Sequence, residues 1–170
     1  PGKSPPPRYR SSVTTAMNIW LELEQGALAT SPAAMHALAR RLGEALPPES
    51  VLALSGDLGV GKTTFVQGLA EAFGIHERVT SPTFTLYNVH HGRRTLVHLD
   101  AYRLESPDQV EDLLLEDFLV APYCLAIEWP ERIAGWLPPD ALNLKLSIEA
   151  PGRHRVQLLR GQPPLTAPAE

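Results

Sequence analysis

Gly56-Asp57-Leu58-Gly59-Val60-Gly61-Lys62-Thr63 fits the pattern G-x-x-x-x-G-K-[ST]. Such a loop works only between a buried strand and a helix, so it dictates the local architecture. Its flanks supply both elements. Val51-Leu52-Ala53-Leu54 is an apolar run of strand length, and Thr63 to Phe73 carries helical apolar spacing that stops at Gly74. Glycines let the backbone curl until several N–H groups converge on one anion. The helix N-terminus adds its partial positive charge. Asp57, Leu58, Gly59, Val60 and Gly61 therefore form a phosphate cradle, with Thr64 next along. Lys62 is placed for the β- and γ-phosphates, and the Thr63 hydroxyl for Mg²⁺.

The 170 residues, 44% hydrophobic, suit one domain with a core of its own. A net charge of −4 and the lack of a basic patch interleaved with aromatics argue against direct sequence-specific nucleic-acid binding. Cys124, the single cysteine, lies in an apolar run and reads as a packing residue. No apolar run reaches the length of a membrane span and no signal-peptide pattern is visible, so a cytoplasmic setting is expected. Residues 1–16, with four prolines and three basic residues, are expected to be a disordered tail or a start-site extension ahead of Met17. Residues 17–160 form the single domain of this reading. Residues 161–170, with three prolines, form a flexible C-terminal tail.

Along the domain, Asn18 to Leu23 alternates as a strand does. Ser31 reads as an N-cap with Pro32 at the first helical position, opening a helix from Ala33 to Leu46 that Pro47-Pro48 stops. Phe84–Val89 and Thr95–Leu99 flank a glycine-bearing turn and predict a hairpin, with His90 and His91 solvated in the turn. Ser106-Pro107-Asp108 opens an acidic helix through Leu119. Ala141–Glu149 and His154–Leu159 predict a second hairpin about Pro151-Gly152. A hairpin straight after the P-loop helix departs from a plain parallel layout. The fold class expected is α/β, a three-layer P-loop NTPase fold with a mixed sheet. The stretch from Leu104 to Glu131 holds eight acids and no Lys or Arg. It reads as a solvated helix face or as a docking surface for a basic partner.

Two apolar strands end in acids, Leu96-Val97-His98-Leu99-Asp100 and Tyr123-Cys124-Leu125-Ala126-Ile127-Glu128. Strand C-termini are where ligands sit in open α/β sheets, so either acid is a candidate for the Mg²⁺ site. Thr80-Ser81-Pro82-Thr83 offers hydroxyls for a γ-phosphate or is a capped turn. Trp129 packs in the core or lies against the nucleotide. Arg103 is a candidate arginine finger.

Taken together, the P-loop with Thr64, Ser81-Pro82-Thr83-Phe84-Thr85-Leu86, His98-Leu99-Asp100-Ala101-Tyr102-Arg103-Leu104 and Ile127-Glu128-Trp129-Pro130 resemble the TsaE family, once called YjeE. The resemblance runs in order from about Ser31 to Leu159. It implies a small Mg²⁺-dependent ATPase needed to make threonylcarbamoyladenosine, a modified base beside the anticodon of tRNAs. It implies action on the TsaB–TsaD heterodimer rather than transfer of the group itself. By motif match, Lys62, Thr63 and Thr64 contact ATP, Thr63 and Glu128 serve the metal, and Asp100 is an acid needed for hydrolysis. Ser31, Pro32 and Gly152 fall where the family contacts adenine. Two alternatives remain open at the level of sequence: a small-molecule kinase on the same scaffold, and a nucleotide switch that binds without turnover. No N-K-x-D guanine-reading motif is present, which favours ATP.

Overall fold

The computed structural model describes residues 19–159, so the expected tails at 1–16 and 161–170 lie outside the described residues. A seven-stranded sheet runs in the order β1-β7-β6-β2-β5-β4-β3. Its strands are β1 (Ala27–Ala29), β2 (Glu49–Ser55), β3 (Tyr87–His90), β4 (Thr95–Asp100), β5 (Tyr123–Glu128), β6 (Leu142–Ala150) and β7 (Arg153–Leu159). The four central strands β6, β2, β5 and β4 pair in parallel. Antiparallel partners close both edges: β3 on β4, and β7 on β6 with β1 beyond it. The mixed sheet and both hairpins expected from the turn residues are present, although the first hairpin's leading strand is Tyr87–His90 rather than Phe84–Val89 because residues 83–85 form a turn.

Helices α1 (residues 19–25), α2 (Pro32–Ala45) and α3 (Lys62–Ala72) belong to the larger core. Leu52, Leu54, Leu96, Cys124, Ala126, Leu144 and Leu146 project from the sheet into it. The smaller core lies on the other face, where Val97, Leu99, Leu125 and Ile127 meet Val110, Leu115 and Ile133. Each fully buried leucine contributes roughly 1.5–3 kcal/mol, so the two cores fix the strand ends that carry polar groups. The two long helices touch at small residues. A Cβ on Gly68 would come within 2.6 Å of the His36 carbonyl oxygen and 2.7 Å of the Ala39 Cβ. Gly68 is what lets α3 approach α2.

Ser31 accepts a hydrogen bond from the Ala34 amide at 3.0 Å and Pro32 opens α2, as the sequence predicts. Three expectations need correction. Residues 19–25 are a helix, not the strand expected over Asn18–Leu23. Ile19 and Leu23 are buried while Leu21 is 53% exposed, which fits i,i+4 spacing on one helix face and not alternation. The acidic helix to Leu119 is broken into a single turn, α4 (Asp108–Glu111), and a 3₁₀ turn over Leu115–Phe118. Leu114 turns outward at φ 53° so that Leu115 can point into the small core. His90 is the last residue of β3, buried, and its Nδ1 donates to Glu77 Oε1 at 2.7 Å. His91 alone of that pair is exposed. The turn arginines have structural work: Arg93 donates to the Ala72 carbonyl, and Arg94 to the Leu46 and Pro47 carbonyls, closing the C-terminal ends of α3 and α2.

Candidate nucleotide site

β2, β5 and β4 lie side by side and run parallel, so their C-terminal ends open on the same edge. β2 feeds the P-loop. Gly61, at φ 107°, sits at the N-cap of α3 in a conformation that favours glycine, and no side chain caps that helix. Its first amides are therefore left for a ligand.

Lys62 folds back over the loop. Its Nζ donates to the Gly56 carbonyl and lies 3.6 Å from the centre of the Trp129 ring. Burial pushes its ammonium below the usual lysine range, while the carboxylates of Glu128, Glu131, Asp100 and Asp57 pull the other way. Trp129 holds this position from a left-handed backbone, φ 57° and ψ 49°, which costs a tryptophan about 1–3 kcal/mol. Its ring also packs on Tyr102, with centroids 5.0 Å apart. Trp129 is half-buried, lines the cavity over the P-loop and belongs to neither apolar core.

Glu128 is 4% exposed at the end of β5. Its Oε1 accepts the Thr63 hydroxyl at 2.9 Å and His98 Nε2–H at 2.9 Å. Burial, the largest single influence, pushes the carboxyl up. The hydrogen bonds from His98 and Thr63 and the Lys62 charge outweigh it, so the group lies below the usual glutamate range. Asp100 faces Glu128 in register on β4 and is 8% exposed. Its Oδ1 accepts the Tyr102 amide at 3.0 Å, and its Oδ2 accepts the Ser81 hydroxyl at 3.4 Å. Arg103 donates through Nε, at 3.0 Å, and Nη2 to the Thr83 carbonyl. Its guanidinium is thus committed to the 81–83 loop and does not line the cavity, which corrects its candidacy as an arginine finger.

A cavity of about 550 Å³ lies over the P-loop, lined by Gly59, Gly61, Lys62, Thr63 and Thr64 on one side and by Ser81, Thr83, Asp100, Glu128 and Trp129 on the other. A second, of about 230 Å³, adjoins it at Gly59, Gly61 and Thr64 and is lined by Ser31, Pro32, Met35, Gly152 and His154. Together they have room for phosphates beside a base. Most of the sequence-predicted site residues come together here, with Leu58 at the rim. Asp57 and Val60 line neither cavity. Val60 is buried and supports the loop from behind, its carbonyl accepting His154 Nδ1–H at 2.7 Å. His154, Met35 and Tyr102 were missed. His154 follows the predicted turn glycine by two residues, and that proximity was the one available signal.

Thr63, Asp100 and Glu128 present hard oxygen donors. Among the described residues no three His, Cys, Asp or Glu side chains form a metal cage. Those oxygen donors suit Mg²⁺, which takes one or two carboxylates and completes its shell with phosphate and water. No helix among the described residues is long and apolar enough to cross a membrane.

A family model described as threonylcarbamoyl adenosine biosynthesis protein TsaE matches residues 29–156. The tRNA threonylcarbamoyladenosine biosynthesis protein TsaE of Treponema pallidum (strain Nichols) is 43% identical over 115 residues, which cover 68% of this chain and 85% of that protein. The protein of the same description from Nostoc sp. is 44% identical over 122 residues, 69% of this chain and 74% of the relative. That from Bacillus subtilis is 39% identical over 115 residues, 67% and 72% respectively. A crystal structure of YdiB from Bacillus subtilis superposes with a TM-score of 0.66 at 30% identity, covering 78% of this chain and 82% of that one.

Proposed function

The chain belongs to the TsaE family of threonylcarbamoyl adenosine biosynthesis proteins, and from that premise we propose that it is a Mg²⁺-dependent ATPase acting on the TsaB–TsaD heterodimer. The observation that carries the reading is the hydrogen bond from Thr63 to Glu128 at 2.9 Å. It joins the P-loop hydroxyl to a buried acid at the end of the neighbouring strand, the pairing a P-loop enzyme uses to hold its metal. The base would occupy the smaller cavity against Ser31, Pro32 and Gly152. The phosphates would lie along the uncapped start of α3. Lys62 needs only to exchange the Gly56 carbonyl for phosphate oxygens, and a phosphate would restore the charge that burial disfavours. When bound, Mg²⁺ would neutralise developing charge on the phosphates. Thr63 and Glu128 would hold it, and Asp100, with the Ser81–Thr83 loop, would order the water that attacks.

Among the described residues, Lys62 is the sole Lys or Arg lining the larger cavity. A second cation at the transferring phosphate is worth about 10³–10⁵ in rate, so turnover by the isolated chain is slow. Leu58 and Tyr102, both exposed, line the larger cavity, and Phe84, 90% accessible, follows Thr83 of that lining in the chain. They offer an apolar rim on which a partner protein could seat and complete the site. We propose the cytoplasm as the setting for this work.

ATP hydrolysis by the purified chain, alone and with the TsaB–TsaD pair, tests the reading. Slow turnover that changes with the pair supports it. Phosphoryl transfer to a metabolite without hydrolysis, or nucleotide binding with no turnover in the presence of the pair, overturns it.

A further inference from the structure

His98 lies inside β4 between Val97 and Leu99, on the face that looks toward α3, opposite Ala126 of β5. It is 0% exposed. A leucine or phenylalanine would pack there without stripping water from two ring nitrogens, and one of those nitrogens, Nδ1, is buried with no partner among the described residues. The polar ring therefore calls for a reason beyond packing. Its other nitrogen supplies one. A carboxylate only accepts, so Nε2 carries the hydrogen and donates it to Glu128 Oε1 at 2.9 Å. That is the same oxygen that takes the Thr63 hydroxyl. Glu128 Oε2 makes no hydrogen bond among the described residues.

We propose that His98 is a positioning residue for the metal site: by holding Oε1 of Glu128 it keeps that carboxylate turned to Thr63 and leaves Oε2 free for the metal's shell. The inference rests on the Mg²⁺·ATP reading of this site and adds a residue to it that never touches metal or nucleotide. Without the ring, the glutamate side chain regains its rotamers, and the alignment of the Thr63 hydroxyl goes with them.

The test is Mn²⁺ binding in the presence of ADP, followed by electron paramagnetic resonance, for the wild type, His98→Leu and His98→Gln. ADP affinity in EDTA is measured beside it. Loss of the ring N–H in His98→Leu should weaken Mn²⁺ binding about 10–100-fold while ADP affinity in EDTA stays unchanged, which a general loosening of the core would not allow. His98→Gln, whose amide N–H can reach the place of Nε2, should recover most of the loss. Wild-type metal affinity in a folded His98→Leu overturns the inference. If neither variant folds, the wild type still decides: with ¹⁵N-labelled histidine, the Nε2–H resonance should move on adding Mg²⁺ to the ADP complex and stay in place with ADP alone. No movement overturns the proposal. A wild type whose ADP complex takes up no Mn²⁺ removes the Mg²⁺ reading itself, and this inference with it.

Discussion

Asp100 and Glu128 end neighbouring parallel strands, stand opposite one another in register, and are tied by the Ala101 amide donating to the Glu128 carbonyl at 3.0 Å. Their side chains nevertheless belong to different parts of the molecule. Glu128 is held from within, by a fully buried histidine and by the first turn of α3. Asp100 is held from outside, by the Tyr102 amide and the exposed hydroxyl of Ser81. One acid is fixed to the rigid P-loop half of the site. The other is fixed to a loop whose tip is solvent-accessible and which Arg103 ties down. On the proposed function, two carboxylates of similar burial would take different tasks: Glu128 a constant metal geometry, Asp100 a segment that can respond to the γ-phosphate or to a partner.

Lys62→Ala takes away the element common to both halves and has the largest expected effect. Nucleotide affinity, read by calorimetry, should fall on the order of 100-fold, the equivalent of one or two charge-assisted hydrogen bonds. Glu128→Gln comes next. It should leave nucleotide binding within a few-fold of wild type and cut hydrolysis by about 100-fold or more. Normal turnover in that variant would remove Glu128 from the metal site. Arg103→Met loosens only the outer half. It should slow hydrolysis several-fold, the effect of one partly exposed hydrogen-bonding group, with metal dependence untouched. A change in metal affinity would show that the two halves are not separable.

The smallest effect probes the rigidity of β5, the strand that carries Glu128. Burial pushes the Cys124 thiol up to about 12 from an ordinary 9.0. The stability that the neutral thiol contributes is whole below pH 9 and is lost as pH rises toward 12, since the unfolded chain releases that proton first. Iodoacetamide at pH 8 should leave Cys124 unlabelled until denaturant is added. Rapid labelling of the native protein would mean that β5 opens easily.

The inner half was the more legible in sequence. A G-x-x-x-x-G-K-[ST] loop between an apolar run and a helix determines its own geometry, and an acid closing an apolar strand must emerge at the sheet's ligand edge. The cap at Ser31-Pro32 and the turn at Pro151-Gly152 were readable because caps and turns are local chemistry, whereas the family resemblance alone pointed to these residues as part of the site. What sequence could not supply was contact across strands. His98 had no visible partner until β4 and β5 lay in register, and His154 had none until β7 packed behind the P-loop. Residues 19–25 misled because Ile19 and Leu23 satisfy both a period of two and an i,i+4 pair, and only burial of the neighbours separates them. The acidic stretch misled because its apolar residues serve a small core that a continuous helix could not reach.

The most direct test of this division is a Mg²⁺ titration of ATP binding by calorimetry, run side by side on the wild type, Glu128→Gln and Asp100→Asn. The account predicts that Glu128→Gln alone shifts the Mg²⁺ dependence, by about 10–100-fold, while Asp100→Asn keeps the wild-type titration and loses hydrolysis. Equal shifts in both variants, or a shift in Asp100→Asn alone, would contradict it.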